Sequence, residues 1–174
     1  MLTYDDLQHA PDDGLRRELI GGELYMTPAP SPQHQRIVRD VFRALDEYAS
    51  RSGGEALFAP LDVVFTQIDV VEPDVLYFTA ERREAIGETA VRAAPSLVVE
   101  ILSPSTSEID AEGGKKYTLY ARQRVPEYWV VNPKTLRVDA YAEPDRAAGM
   151  YRNHFVGDGS IESATLPGLC ATVS

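Results

Sequence analysis

The segment SLVVEILS, residues 96 to 103, constrains the fold more than any other part of the chain. It is apolar almost throughout, the pattern of a central strand covered on both faces rather than one that turns a polar face to water. Glu100 interrupts it. An isolated ionised carboxylate in such a strand costs several kcal/mol unless it is paired or binds a metal. Asp74 opens a neighbouring apolar strand, DVLYFT, directly after Pro73. Two carboxylates on adjacent buried strands make a hard, oxygen-rich site suited to magnesium or manganese. The other reading pairs Glu100 with a buried arginine and leaves Asp74 as a turn cap. Spacing alone leaves both open.

The remaining elements follow in a definite order. RRELIGGELYMT predicts a hairpin of two short strands around Gly21-Gly22. A helix then starts with Ser31 as N-cap and Pro32 in its first turn, and Gly53-Gly54 ends it. Its apolar stripe is Ile37, Val38, Val41, Phe42, Leu45, Tyr48 and Ala49. LDVVFT reads as a strand with Leu61, Val63 and Phe65 inward and Asp62 and Thr66 outward. Residues 80 to 95 start as a helix and become a loop. After SLVVEILS come a helix over about 113–123, the strand EYWVVN, an NPKT turn and the returning strand LRVDAYA. MYRNHFV and the tail around SIESATLPGL add short strands. No repeat, low-complexity tract or linker divides the 174 residues, which predicts one domain over 1–174.

Composition excludes some classes. No stretch is long and apolar enough for a membrane span, and MLTYDDLQHA lacks the pattern of a signal peptide. The single Cys170 excludes an intramolecular disulfide and a multi-thiolate zinc site. These features predict a cytoplasmic protein. With 17 basic and 27 acidic side chains the net charge is −10, which opposes approach to a phosphate backbone. Nucleic-acid binding therefore requires a local basic patch, bound metal or oligomerisation.

Lys116 is the third candidate. Leu119, Tyr120 and Gln123 complete its helical stripe, which predicts that it points toward the sheet more than Lys115 does. It either meets a carboxylate or phosphate there, or snorkels to solvent.

With these residues in view, the chain resembles the Uma-two family, a branch of the PD-(D/E)xK restriction-endonuclease-like superfamily. The resemblance rests on RRELIGGELYM, SPQH, EPDVLYF, PSLVVEILSPST, KKYTLYARQRVPEYWVVNP and LPGL, nearly the whole chain. It implies an α/β, restriction-endonuclease-like fold: a central mixed β-sheet flanked by helices, with additional β-hairpins. It implies acidic site residues at Asp74 and Glu100, which with the backbone carbonyl of Ile101 would hold Mg2+ (or Mn2+). The superfamily lysine normally lies two residues beyond the second acid, where this chain has Leu102. The resemblance places the migrated lysine at Lys116, with either Asp110 or Glu112 as the acid before it. Arg124 stands where relatives usually have glycine.

The implied activity is metal-dependent hydrolysis of DNA phosphodiester bonds by an endonuclease, with Lys116 orienting water and balancing phosphate charge. The resemblance makes Glu18 the better, and Glu23 the weaker, candidate for a supporting or second-metal ligand. His34 shares the inward face of its helix and is either a base or phosphate contact, or a satisfied core histidine. For DNA contact the candidates are Arg36, Arg39 and Arg43 at helical spacing and Arg16 and Arg17 on the first hairpin, although such clusters are usually solvated surface. The superfamily often cuts both strands as a homodimer, for which the C-terminal hairpins are candidates. Against the endonuclease stands a nuclease-fold module that has lost its chemistry and binds nucleic acid or a partner protein. Leu102 and the acidic charge favour that alternative; the joint presence of Asp74, Glu100 and Lys116 favours the enzyme. A weaker third reading is a hydrolase of small phosphorylated molecules.

Overall fold

A computed structural model describes residues 1–11 and 13–174. A short helix α1 (Tyr4–Gln8) precedes the hairpin β1 (Arg16–Ile20) and β2 (Glu23–Thr27). Then come α2 (Pro32–Ser52), β3 (Glu55–Phe58), β4 (Val63–Thr66), β5 (Asp69–Val71) and β6 (Val75–Phe78). A 3-10 segment, Ala80–Ala85, leads through a loop to β7 (Leu97–Ile101), α3 (Ser107–Asp110), α4 (Lys115–Arg122) and β8 (Glu127–Val131). The chain closes with β9 (Arg137–Asp145), β10 (Met150–Asp158), β11 (Ser160–Glu162) and β12 (Cys170–Thr172).

The centre is a six-stranded sheet in the order β10-β9-β8-β7-β6-β3. Only β7 and β8 run parallel within it, and α3 and α4 supply the crossover that a parallel pair requires. Side-chain alternation divides the strands between two cores. Val75, Tyr77, Val99, Ile101, Trp129 and Val131 pack toward Ile37, Val41 and Leu45 of α2. Leu76, Phe78, Val98, Tyr128 and Val130 pack toward Tyr117 and Tyr120 of α4. A strand coated on both sides must be apolar along its length, and β7 is buried at all five positions.

Helix α2 forms as its end signals predict. Ser31 accepts the His34 N–H at 3.2 Å, Pro32 opens the first turn, and Gly53 closes the helix at φ 77°. The first hairpin turns through Gly21 and Gly22, both at positive φ. It belongs to a second sheet, in the order β2-β1-β5-β4. Strands β3 and β5 and the helices α1 and α3 were not foreseen from the sequence. The expected alternation in LDVVFT is also corrected: Val63 and Val64 are both buried, and Asp62 is half-buried rather than outward. Here β4 runs into a layer covered from both sides, and period two no longer separates core from solvent. Among the described residues no helix is long and apolar enough to cross a membrane.

Candidate active site

Strand register creates the site. Strands β6 and β7 are antiparallel with Val75 opposite Val99, so the next positions outward, Asp74 and Glu100, lie across from each other at the end of the sheet. Asp74 is 4% and Glu100 2% exposed. Asp74 is the meeting point of three elements. Its Oδ1 accepts from Arg16 Nη1 of β1 at 3.0 Å, and its Oδ2 accepts the Ile101 N–H at 2.8 Å. His34 Nε2 of α2 lies 3.1 Å from Oδ2.

Glu100 faces α4. Its Oε1 accepts from Lys116 Nζ at 3.0 Å and from the Tyr120 hydroxyl at 2.7 Å. Lys116 Nζ also lies 2.9 Å from Glu18 Oε1 and 3.6 Å from Asp110 Oδ1. Glu18 is fixed in turn, because its Oε1 accepts the Glu72 N–H at 2.7 Å. Lys116, Tyr117 and Tyr120 lie on the buried side of α4 while Lys115 is exposed and pairs with Glu23 on β2. The predicted inward bias of Lys116 over Lys115 is therefore what the helix shows.

The charge inventory is unbalanced. Glu18, Glu72, Asp74, Glu100 and Asp110 converge on only two permanent cations, Arg16 and Lys116. Burial pushes the Glu100 carboxyl well above its ordinary range, and Lys116 offsets this only in part against the repulsion of Asp110, Asp74 and Glu18. Burial raises Asp110 as well. Asp74 is the exception: the His34 contact, the Arg16 charge and the Ile101 N–H outweigh its burial and hold it below the usual carboxylate range. Burial alone would lower Lys116, yet its three acidic neighbours raise it well above a free lysine. Asp110 Oδ1 and Glu72 Oε2 are buried without a hydrogen-bond partner. A divalent cation fits this shortage of positive charge. Among the described residues no three carboxylate, imidazole or thiolate side chains form a ready-made metal cage. The donor set is instead one in which one or two carboxylates would need carbonyl, water and phosphate oxygens to complete the shell of a hard divalent cation.

Arg16, Asp74, Glu100, Asp110 and Lys116 line a cavity of about 450 Å3. Pro28, Pro30, His34, Ser103, Pro104, Pro133 and Lys134 also line it.

The structure brings Asp74, Glu100, Ile101, Lys116, Glu18 and His34 into one cluster. It corrects the reading of Arg16 as surface, because its guanidinium also reaches the Glu72 carbonyl and lies 3.5 Å from the Glu72 carboxylate. Alternation on β1 was the available signal: Arg16 shares a face with Glu18. Tyr120, on the same helical stripe as Lys116, also reaches this cluster through its hydroxyl on Glu100. Between Asp110 and Glu112, the buried Asp110 is the acid beside Lys116, and Glu112 is exposed. Glu23 leaves the candidate set, since it is exposed and bonded to Lys115 and Tyr25. Arg36, Arg39 and Arg43 are exposed as expected.

A mixed sheet flanked by helices, with two carboxylates and a lysine gathered at one end of its central strands, defines the class of restriction-endonuclease-like folds. The family model described as "putative restriction endonuclease", Uma2, matches residues 3–174, and the chain belongs to that family. Its fold is similar to the crystal structure of a "putative nuclease belonging to DUF820" from Anabaena variabilis ATCC 29413. That likeness has a TM-score of 0.72 at 20% identity and covers 91% of this chain and 85% of the other. No curated protein matches.

Proposed function

We propose that the cavity hydrolyses DNA phosphodiester bonds with the help of magnesium or manganese, as an endonuclease. The observation that supports this most is the cross-strand pair Asp74 and Glu100 at the cavity floor, with the Lys116 amine 3.0 Å from Glu100. Asp74, Glu100 and the Ile101 carbonyl would hold the ion. When bound, it would neutralise phosphate charge and lower the pKa of a coordinated water.

The chain's own groups divide the remaining work. Arg16 and the Ile101 N–H fix the Asp74 carboxylate in place. His34 acts on Asp74 in the same way: its Nε2 is committed to that carboxylate and its Nδ1 is buried without a partner, so it is a positioning residue rather than a base. Lys116 donates to Glu100 and Glu18, while Asp110 at 3.6 Å is too distant for a full hydrogen bond. One ammonium N–H is therefore available to orient water or to meet a phosphate oxygen.

The enclosure of Lys116 by three carboxylates also supports a second reading, a finished structural ion-pair network in a module without chemistry. Calorimetric titration of manganese into wild type, Asp74→Ala and Glu100→Gln separates the two, followed by cleavage assays in Mg2+. The enzyme reading expects binding by wild type, loss in both folded variants, and wild-type cleavage that disappears with binding. A folded wild type that binds no manganese and cuts no DNA supports the module instead.

A further inference from the structure

Three cations line the cavity, and the charge of two is already balanced by carboxylates. Arg16 pairs with Asp74 and Glu72, and Lys116 with Glu18 and Glu100, with Asp110 3.6 Å away. Lys134 is different. It is exposed, lies on the cavity wall, and among the described residues has no carboxylate within ion-pair distance. Its backbone is nevertheless fixed. The Asn132 side chain accepts the N–H groups of Lys134 at 2.9 Å and Thr135 at 3.3 Å, so the turn between β8 and β9 carries the lysine on a rigid mount. Ser103 and Ser105, whose hydroxyls lie 3.0 Å apart, add neutral hydrogen-bonding groups to the cavity lining.

The floor is recessed as well as acidic. Asp74 and Glu100 are almost wholly buried, and four prolines, Pro28, Pro30, Pro104 and Pro133, help to wall a cavity of only about 450 Å3. A DNA duplex is a stiff cylinder, with a persistence length of about 150 base pairs, and does not fold into such a recess. A single strand does, because its backbone turns freely at each phosphate. The net charge of −10 also withholds the broad basic face that grips a duplex.

We infer that the cavity takes a single-stranded or frayed segment of DNA and that Lys134 binds the phosphate next to the one presented to Asp74 and Glu100. This inference rests on the reading of the site as a phosphodiesterase. Lys134 neutralises one phosphate and adds one released counterion to binding, while the prolines contact sugar and base.

The test is fluorescence anisotropy with one labelled oligonucleotide, single-stranded and as a blunt duplex, in calcium and over a range of salt. Wild type, Lys134→Ala and Lys134→Arg are compared. Wild type should bind the single strand at least about tenfold more tightly than the duplex. Lys134→Ala should weaken single-strand binding several-fold and flatten its salt dependence by about 0.7 in log–log slope, the value for one phosphate on a single strand. Lys134→Arg should restore both. Equal or tighter binding of the duplex overturns the single-strand assignment. An unchanged salt slope in Lys134→Ala overturns the role of Lys134. Either failure, with manganese binding and DNA cleavage intact in wild type, leaves the phosphodiesterase reading standing; absence of manganese binding defeats that reading itself.

Discussion

Buried carboxylates in this chain have two fates, and neighbouring donors decide between them. Glu127 is fully buried in β8, yet five neutral donors satisfy it: the Trp129 indole, the Ser163 and Thr165 hydroxyls, and the Ala164 and Thr165 N–H groups. Glu100 receives one ammonium and one phenol on a single oxygen, and the other oxygen is left for the cavity. The first arrangement ties a strand to a loop; the second leaves charge to be balanced. Lys116 is the residue on which the balance depends. Replacing it by methionine keeps most of the volume but leaves Glu18, Glu100 and Asp110 facing one another without a cation. Breaking a buried pair in this way costs about 3–5 kcal/mol. Urea unfolding should register that loss for Lys116→Met, and adding Glu18→Gln should recover part of it. No loss in the single variant would mean that the three carboxylates already share protons and that Lys116 is dispensable to the fold.

At the scale of elements, the sequence was legible where one physical signal dominated. Helix α2 carries a cap, a proline and a terminal glycine, and β7 is apolar at every position but Glu100, so both were placed from pattern alone. Strands β3 and β5 have four and three residues. Unlike β4 and β6, they do not lie within a longer apolar run such as LDVVFT or DVLYFT, so periodicity does not distinguish them from turns. The inward turn of Arg16 depends on β1 lying beside β5 and near the end of the central sheet, a tertiary fact with only a weak local trace. Asp74 and Glu100 were legible because their cost in an apolar strand is local; Asp110 was not resolved from Glu112, because the bend at Gly113 sets which acid returns to the lysine. The connection from α4 to β8 shows a departure with a stability consequence. The helix ends with the Val125 N–H bonded to the Tyr120 carbonyl and Arg124 at φ 59°, in the position glycine normally takes in such a cap. A left-handed residue with a side chain costs about 1–2 kcal/mol, and glycine gives back roughly 0.5–1 in unfolded-state entropy. Arg124→Gly should therefore stabilise the chain by about 0.5–1 kcal/mol, which for its length raises Tm by roughly 1–4 °C. A lower Tm would show that the exposed Arg124 side chain contributes more than its backbone strain costs.

At the scale of the whole molecule, the central question is why a chain of net charge −10 concentrates five carboxylates around two cations at one end of its sheet. Their mutual repulsion opposes folding, and it is greatest when no ion is bound. A divalent cation that binds the folded chain and not the unfolded one relieves it, and linkage converts occupancy into stability. At a concentration one hundred times Kd the gain is about 2.7 kcal/mol. For a chain of this length each kcal/mol moves Tm by about 2–4 °C, so saturating manganese should raise Tm by roughly 5–10 °C. Asp74→Ala and Glu100→Gln should each lose most of that increment. Glu127→Gln, which alters a carboxylate remote from the cavity floor, should keep it whatever its own Tm. Thermal scans of the four proteins with and without manganese read this directly. An equal increment in all four would place the ion on the acidic surface and not between the two strands; no increment in wild type would mean that Lys116 and Arg16 already supply all the positive charge the fold requires.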